Sequence, residues 1–443
     1  MTKLIEKNIE WLVAISVVMI TTISFFNSLM VNLDFRIVRA LLKYFNILIL
    51  FILFLYQKRT YEIRILDKAF FSFFLLYYCY IFAYLTFLRR FQLDEMLGVP
   101  LSLFDIITNI VTTICYLLCA KTIISHFNVK KYFILSLIIC TIPTFIFMQT
   151  VSVEAIQDGI SRDEDNYINK LTITYSNMPI LVLAVVYFNR LFSKNLLSKI
   201  VCLCVIAAEI YILIVYGKRG PILWSFVGII LFFAIKSHSL KKYFVLGLVI
   251  YTIYMCTDPI LHVIKDTFPR SGARLEAALK EGDTSHRFDV NDPKHSAFFI
   301  GLENFSRSPI WGYYFRLDTD YLYFRGAYAH NVFIEMLMTM GLLGFVPFMY
   351  LLYKAFRKSR LVFSRPHSHN QIACFVLFIC IFLQLQTTGS CSFKSSFWLF
   401  FYSLCCLDKF KNRTTAASNI SMSLVKVLKV KREIISLKLK NYN

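Results

Sequence analysis

One segment of the sequence has the residue types of a proton-transfer site. Tyr328-Ala329-His330-Asn331 opens a long apolar run, and Asn331 belongs to a residue type that commonly caps helices. His330 would then lie at a helix N-terminus, whose dipole disfavours protonation of the imidazole. Because a neutral imidazole can take a proton from a hydroxyl group, His330 is a candidate general base.

A second segment has the residue types of an anion site. Gly217-Lys218-Arg219-Gly220 places two cations in a tight turn between two apolar runs. A guanidinium group can bind phosphate or pyrophosphate through two parallel hydrogen bonds. The alternative is an ordinary turn at a membrane surface, where the long side chains of Lys218 and Arg219 reach water.

The longest polar stretch, residues 258–328, holds further candidates for anion and sugar recognition. It has 71 residues with nine basic and ten acidic side chains, so general attraction of polyanions is not expected. Arginine suits pyrophosphate, and aromatic faces with polar tips suit sugar rings. The alternative is a small folded cap with ordinary surface arginines and core tyrosines. The candidates are Arg270, Arg274, Arg287, Arg307, Arg316 and Arg325, with Trp311, Tyr313, Tyr314, Tyr321, Tyr323 and Tyr328.

Glu335 is a carboxylate within the apolar run that His330 opens. It follows Asn331 by four positions, so the two residues share a helix face. A carboxylate inside a membrane span is costly and usually faces the protein interior. A hydrogen bond to a neighbouring helix is the simplest role for Glu335.

Metal and cofactor signals are weak. Asp163-Glu164-Asp165 and Asp318-Thr319-Asp320 have the Asp-x-Asp spacing of some metal-dependent transferases, but such triplets arise easily in charged loops. The 12 cysteines lack zinc-type spacing and mostly fall in apolar runs, where they suit helix packing. A Cys256–Cys391 disulfide is compatible with the positions of both residues near one face. We therefore expect neither a metal nor a cofactor.

Membrane-spanning helices must position these candidates. Hydrophobic residues make up 57% of the 443 residues and charged residues only 17%, whereas soluble domains carry about 25% charged residues. A spanning helix needs about 20 mostly apolar residues. We predict an all-α polytopic membrane protein with about 12 transmembrane helices, at 11–31, 38–56, 69–88, 101–123, 132–152, 173–190, 199–216, 221–235, 243–257, 329–353, 371–387 and 395–407.

The basic residues indicate the orientation of these spans, because cytoplasmic loops carry the excess of Lys and Arg. With both termini in the cytoplasm, 29 of the 48 Lys and Arg but only 6 of the 27 Asp and Glu fall on inward-facing segments or at the inner ends of spans. The formal net charge of +21 is therefore mostly a topology signal. We do not expect this chain to bind nucleic acid.

The predicted organisation has four parts. Residues 1–257 hold nine spans, 258–328 form the large outer loop, 329–407 hold three spans, and 408–443 form a basic cytoplasmic tail. Between 421 and 440 the tail mixes Leu, Val and Ile with Lys, which is typical of an amphipathic segment on the anionic inner leaflet. The sequence therefore predicts that the tail is a membrane anchor.

Several of these segments together resemble the O-antigen ligase and polymerase family. His330 to Glu335, continuing to Gly341 to Gly344, resembles the family's signature. Gly217 to Gly220 resembles its arginine turn before a span, Ser285-His286-Arg287 its Ser-x-Arg, and Ser308 to Gly312 its Ser-Pro-x-x-Gly step. These pieces follow one another in the family's order over about 130 residues. The chain departs from the pattern where Tyr313-Tyr314-Phe315 replace a second glycine and Thr339 an acidic residue.

The resemblance implies a GT-C-like enzyme of the bacterial inner membrane with a periplasmic loop at 258–328. It implies metal-independent, inverting transfer of a glycan from undecaprenyl pyrophosphate to a sugar hydroxyl on the outer face. His330 would be the base, and Arg219 and Arg287 would bind the pyrophosphate. A chain-length regulator and a flippase would be its protein partners. Residues implied for substrate binding are Lys218, Arg270, Arg274, Asn331 and Tyr328.

Three functions remain open at this point. The first is a repeat-unit polymerase for O-antigen or capsule, and the second is a ligase that moves the finished glycan to lipid A–core. Both would use the same donor and the same residues. A third is a transporter, since twelve spans with inner termini are also a common transporter plan. Transporters tend to show repeated halves and ionisable residues near the midplane, whereas here the sequence shows no internal repeat, Glu209 and Asp105 are the only other clear intramembrane acids, and a transporter would not need the 71-residue loop.

Overall fold

The computed structural model describes residues 2–29, 35–60, 65–87, 103–150, 170–191, 196–216, 219–236, 257–269, 297–312, 331–363, 369–386 and 394–407, with residues 247, 272, 273, 276 and 277. Every regular element in this part of the chain is a helix, which confirms the all-α class. The ninth predicted span, Cys256, Cys391 and the tail 408–443 lie outside the described residues, apart from isolated positions.

Helices occupy eleven of the twelve predicted spans. They are α1 (Thr2–Leu29), α2 (Phe35–Thr60), α3 (Lys68–Phe87), α4 (Leu103–His126), α5 (Val129–Ser136), a π-helical turn (Leu137–Thr141), α6 (Ile142–Thr150), α7 (Lys170–Leu191), α8 (Leu196–Val215), α9 (Arg219–Lys236), α10 (Thr257–Thr267), α11 (Ala297–Arg307), α12 (Val332–Phe363), α13 (His369–Gln384) and α14 (Ser395–Cys405). The helices α10 and α11 lie in the predicted outer loop, so that loop is partly folded.

Three stretches of the described chain are long and apolar enough to cross a membrane by length and composition: Ile107–His126, Val129–Ile146 and Val332–Arg360. Shorter apolar helical stretches occur at Asn8–Thr22, Lys68–Ala83, Ile173–Val186, Gly220–Phe233, Gln371–Gln384 and Ser395–Cys405. The molecule is therefore a helical bundle with the composition of a membrane protein.

The shortest of these apolar helices form the centre of the bundle. Residues 371–383 of α13 and all residues of α14 are buried, as expected for helices that are apolar on every side. The helix α13 packs against α7, α9, α12 and α14, and α14 also packs against α4. The ring of Trp398 on α14 contacts the rings of Phe74 and Tyr77 on α3 at centroid distances of 5.3 Å.

One end of the α3–α12–α14 cluster is joined by paired polar groups. Lys354 of α12 forms an ion pair with Asp67, which precedes α3. The Asp67 carboxylate also accepts a hydrogen bond from the N–H of Phe70, 3.1 Å away, and so caps α3. The hydroxyl of Tyr402 accepts a hydrogen bond from the N–H of Leu66 at 2.8 Å. These contacts hold the start of α3 against the C-terminal parts of α12 and α14.

Candidate functional site at the opposite end of the cluster

Asn331 caps α12, as the sequence predicts. Its side-chain oxygen accepts hydrogen bonds from the backbone N–H groups of Phe333 and Ile334 at 2.9 and 3.2 Å. Two N–H groups that the first turn of a helix leaves without partners are thereby satisfied. The Asn331 oxygen is thus occupied by the cap, and its amide N–H groups are the part that a substrate could use.

The predicted tenth span, 329–353, is not one straight helix. Gly341 lies inside α12 with a φ of +59°, and the helix bends there. The rings of Phe333 and Phe348 have centroids 6.2 Å apart, although fifteen residues of straight helix would separate them by about 22 Å. Residues 332–340 therefore turn back over the second part of α12, and seven of these nine residues are buried.

A segment from the outer loop fills this bend. We call Ser308 to Gly312 the 308–312 wedge. The N–H groups of Leu342 and Leu343, freed by the bend, donate hydrogen bonds to the carbonyl oxygens of Pro309 (2.8 Å) and Ile310 (3.2 Å). The wedge thus replaces the helical acceptors that these two groups would otherwise have, which keeps the bend stable in an apolar environment.

Two glycines make this contact sterically possible. Gly312 has a φ of +79°, which lies in a backbone region that residues with a Cβ atom rarely adopt. A Cβ on Gly312 would overlap the carbonyl of Thr339, and one on Gly341 would lie 2.5 Å from the carbonyl oxygen of Ile310. Both positions therefore require glycine. The Ser-Pro-x-x-Gly step and the Gly-x-x-Gly of the sequence pattern meet here.

The helix α3 contacts both the 308–312 wedge and the capped segment of α12 before the bend. Tyr80 donates a hydrogen bond from its hydroxyl to the Trp311 carbonyl oxygen at 2.5 Å. Tyr77, which packs on Trp398, donates from its hydroxyl to Glu335 Oε1 at 3.4 Å. Glu335 is only 2% exposed, and its hydrogen bond to a neighbouring helix confirms the simplest role predicted for it. The two tyrosines fix the capped segment and the wedge relative to one helix.

Two buried polar side chains lie where α11 and α12 pack. The amide of Asn304 on α11 and the hydroxyl of Thr339 on α12 are both buried, and neither has a hydrogen-bond partner among the described residues. Buried polar groups are nearly always paired, so each exception calls for a reason. A polar ligand or a water molecule beside the wedge would supply the missing partners.

A cation lies at the same end, at the start of α14. Lys394 is partly buried and has no hydrogen-bond or ion-pair partner among the described residues. Burial lowers the pKa of its ammonium group to about 8. Next to it, the hydroxyl of Ser395 donates to the Asn109 side-chain oxygen at 2.8 Å and accepts from the Thr113 hydroxyl at 2.7 Å. This arrangement suits an anion, because binding one would compensate the partly buried charge of Lys394.

Of the predicted site residues, the structure describes Asn331 and the backbone of Arg219. Asn331 caps α12, and Arg219 begins α9, whose described side chains do not include that arginine. The helices α9 and α12 pack against each other, so the two segments singled out in the sequence are carried by neighbouring helices. The remaining predicted residues, Lys218, Arg270, Arg274, Arg287, Tyr328 and His330, lie outside the described residues.

Sequence reasoning missed Lys394, Asn304 and the contact between the wedge and the bend. The signal for Lys394 was a lysine in a predicted outer connection, against the sidedness of the other basic residues. The sequence feature that could have indicated the wedge contact was the pair Gly312 and Gly341, two glycines in otherwise apolar surroundings. No protein-family model and no curated protein matches this chain.

Proposed function

We propose that this chain is a membrane glycosyltransferase that polymerises the repeat units of a bacterial polysaccharide, O-antigen or capsule. It lies in the inner (plasma) membrane with about twelve spans in a GT-C-like arrangement and with both termini in the cytoplasm. The loop 258–328 lies on the outer side. The donor is a glycan on undecaprenyl pyrophosphate, and the acceptor is a sugar hydroxyl.

The contact between the 308–312 wedge and the bend at Gly341 carries this proposal. Both pieces belong to the pattern on which the family resemblance rests, and their sequence spacing alone does not require them to touch. Their hydrogen bonds and the two obligatory glycines fix the capped segment that His330 precedes. A rigid support for a candidate base is what general-base catalysis needs, because small misplacements cost large factors in rate.

In this reaction His330 accepts the proton of the acceptor hydroxyl while its oxygen attacks the anomeric carbon. The bond from that carbon to the pyrophosphate oxygen breaks on the opposite face, so the configuration inverts. Arg219 and Arg287 bind the pyrophosphate and stabilise the negative charge that grows as it leaves. Lys218, Arg270, Arg274 and Tyr328 contribute to binding, and the reaction needs no metal because these cations perform the charge stabilisation.

Strains that carry single substitutions test the mechanism. We expect His330→Ala and Arg287→Ala each to abolish glycan extension while the protein still inserts into the membrane, measured by gel analysis of polysaccharide and by immunoblot of membranes. The control is His262→Ala, because His262 is exposed on α10 and its Nδ1 contacts Asp266 of the same helix at 2.8 Å. Normal chain lengths in the His330 or Arg287 variant would overturn the mechanism.

The ligase alternative uses the same donor, and a deletion strain separates the two. Loss of a polymerase leaves core capped by a single repeat unit. Loss of a ligase leaves bare core and accumulated lipid-linked polymer. Copurification with a chain-length regulator or a flippase would further favour the polymerase.

A transporter is the candidate from a different functional class, and one observation favours it. Glu209 is fully buried among helices and lies beside a π-helical turn, and interrupted helices with intramembrane acids are a feature of transporters. In that case the His330→Ala variant would still extend glycans, whereas Glu209→Gln would abolish solute or glycan movement across the membrane.

A further inference from the structure

A group of polar side chains lies within the bundle, on helices other than those that form the wedge contact. Glu209 of α8 is 0% exposed. The hydroxyl of Thr141, in the π-helical turn, donates a hydrogen bond to Glu209 Oε1. The second carboxylate oxygen, Oε2, is buried and has no hydrogen-bond partner in the described part of the chain. Half of a buried carboxylate is therefore unsatisfied.

The local sequence explains why the helix widens opposite Glu209. Pro143 has no N–H to donate to the carbonyl of Ile139, and its ring would clash with that carbonyl in a regular α-helix. The chain instead forms the π-helical turn Leu137–Thr141 and continues as α6. Turns of this kind are rare and occur frequently at functional sites.

A third helix brings another unsatisfied oxygen to the same place. Asn177 of α7 is fully buried, and its amide nitrogen donates to the Thr144 hydroxyl at 3.3 Å and to the Ile173 carbonyl at 3.0 Å. Its side-chain oxygen has no partner among the described residues. Thr141 and Thr144 are three residues apart and so lie on one side of their segment. Glu209 and Asn177 thus bind adjacent hydroxyls of the same segment.

Neither protonation state of Glu209 satisfies this arrangement by itself. If the carboxylate is ionised, the described residues place no cation against it, and an isolated buried charge is strongly unfavourable. If it is protonated, the carboxyl group can donate to the Thr141 hydroxyl through Oε1, but Oε2 and the side-chain oxygen of Asn177 still have no partner among the described residues. A cation bound beside this segment can take Glu209 Oε2 and the side-chain oxygen of Asn177 as ligands, because neither atom has a partner among the described residues.

We propose that Glu209, Asn177, Thr141 and Thr144 form a binding site for one small monovalent cation, a proton or Na⁺. All four side chains offer oxygen atoms, which are the preferred ligands of hard cations. The single carboxylate balances a single positive charge. The bound cation joins α8 to α6 and α7. The site stands independently of the glycosyl-transfer proposal, because it uses none of that reaction's residues.

The ionisable groups that face Glu209 are few in the described structure. The Cys140 thiol, in the π-helical turn, interacts electrostatically with Glu209, and Tyr175 is the ionisable side chain on the described part of α7. The described side chains of α6 and α9 include no ionisable group. Glu209 is therefore the acidic group whose substitution isolates the cation response.

The test is thermal unfolding of the purified full-length protein in lipid nanodiscs. Wild type, Glu209→Gln and Asn177→Ala are compared in NaCl and in choline chloride at equal ionic strength, from pH 5.5 to pH 9. A Na⁺ site gives a saturable rise in Tm of about 2–4 °C with NaCl that is weaker at low pH and absent in both variants. A proton site gives no NaCl effect but a Tm that falls as pH rises, and this fall disappears in Glu209→Gln.

Ser225→Ala is the matched control, because among the described residues this buried hydroxyl bonds to the Pro221 carbonyl of its own helix and to no other group. It should keep the wild-type response to Na⁺ and pH. If Glu209→Gln does not fold, binding of ²²Na⁺ to wild type and the pH response of Asn177→Ala decide the question. The proposal is overturned if wild type shows neither Na⁺ binding nor a response to Na⁺ or pH that differs from that of the variants. Glycan transfer is measured in the same samples, so failure of either proposal is seen separately.

Discussion

Polar groups are paired at one end of the α3–α12–α14 cluster and lack partners among the described residues at the other end. At one end Lys354 is paired with Asp67, and Tyr402 accepts a backbone N–H. At the other end the described structure leaves Asn304, Thr339 and Lys394 without partners. Paired buried groups leave no polar atom unsatisfied, whereas unpaired ones cost stability and call for a reason, such as a bound ligand or water molecule. The comparison therefore separates the structural end of the cluster from the end at which we propose the functional site.

The largest expected effect is at the paired end. Lys354→Met leaves the Asp67 carboxylate buried without a cation and should lower the free energy of unfolding by about 3–5 kcal/mol. The measurement is an SDS titration of purified protein in mixed micelles. The double variant Asp67→Asn/Lys354→Met should recover part of the loss. If the single variant were as stable as wild type, this end would not be the structural one.

The next effect concerns the wedge. Gly312→Ala forces a side chain into a left-handed backbone conformation and against the Thr339 carbonyl, so we expect a loss of about 1–3 kcal/mol in unfolding free energy and nearly complete loss of glycan extension. Gly228→Ala is the control, because its nearest neighbour would lie 3.7 Å from the new methyl group. Full extension by the Gly312 variant would show that the wedge contact is not needed.

A moderate effect is expected at Lys394. Because the pKa of its ammonium group is lowered to about 8, the group loses its charge as pH rises through that value. The KM for the lipid-linked donor should therefore rise above pH 8 in wild type but not in Lys394→Arg, whose guanidinium stays protonated. Lys394→Met should raise this KM about tenfold at pH 7, which corresponds to about 1.4 kcal/mol.

The control for Lys394 is Lys265→Met, since Lys265 is exposed on α10 and is already paired with Glu276 at 2.7 Å. It should leave the KM and its pH dependence unchanged. Identical pH profiles for wild type and Lys394→Arg would remove Lys394 from the donor site.

The smallest effect distinguishes a ligand site from a packing defect. Thr339→Val removes a buried hydroxyl without a described partner and should raise the free energy of unfolding by about 1 kcal/mol while reducing transfer a few-fold. Thr22→Val is the control, because the Thr22 hydroxyl donates to the Val18 carbonyl at 2.7 Å. That variant should be slightly destabilised with normal transfer. If the two variants behaved alike, Thr339 would belong to the structural end.

The sequence predicts most of the helices because apolar runs of spanning length leave few alternatives. It also predicts the Asn331 cap, because capping depends on one side chain and the two or three N–H groups that follow it. The role of Glu335 follows in the same way from the cost of a carboxylate within apolar surroundings. These are all local or compositional properties.

The bend at Gly341 could not be predicted in this way. Hydropathy carries no information about a positive φ. The carbonyl acceptors that stabilise the bend belong to Pro309 and Ile310, about thirty residues earlier in the chain. The arrangement of Glu209 and Asn177 is equally long-range, since these residues of two different helices bind Thr141 and Thr144 of a third segment, which widens before Pro143. Contacts between distant segments decide both features.

The bend at Gly341 has a consequence for how the protein is made. The part of α12 after the bend, residues 342–363, carries Lys354, Arg357, Lys358 and Arg360, so its apolar part, residues 342–353, is about 18 Å long and shorter than a hydrocarbon core of about 30 Å. The nine residues before it pack on Phe382 of α13 through Phe333, and α13 emerges from the ribosome later. The packing of Phe333 on Phe382 therefore forms only after α13 has been synthesised, whereas the contacts of this segment and the bend with α3 and the 308–312 wedge involve residues made earlier.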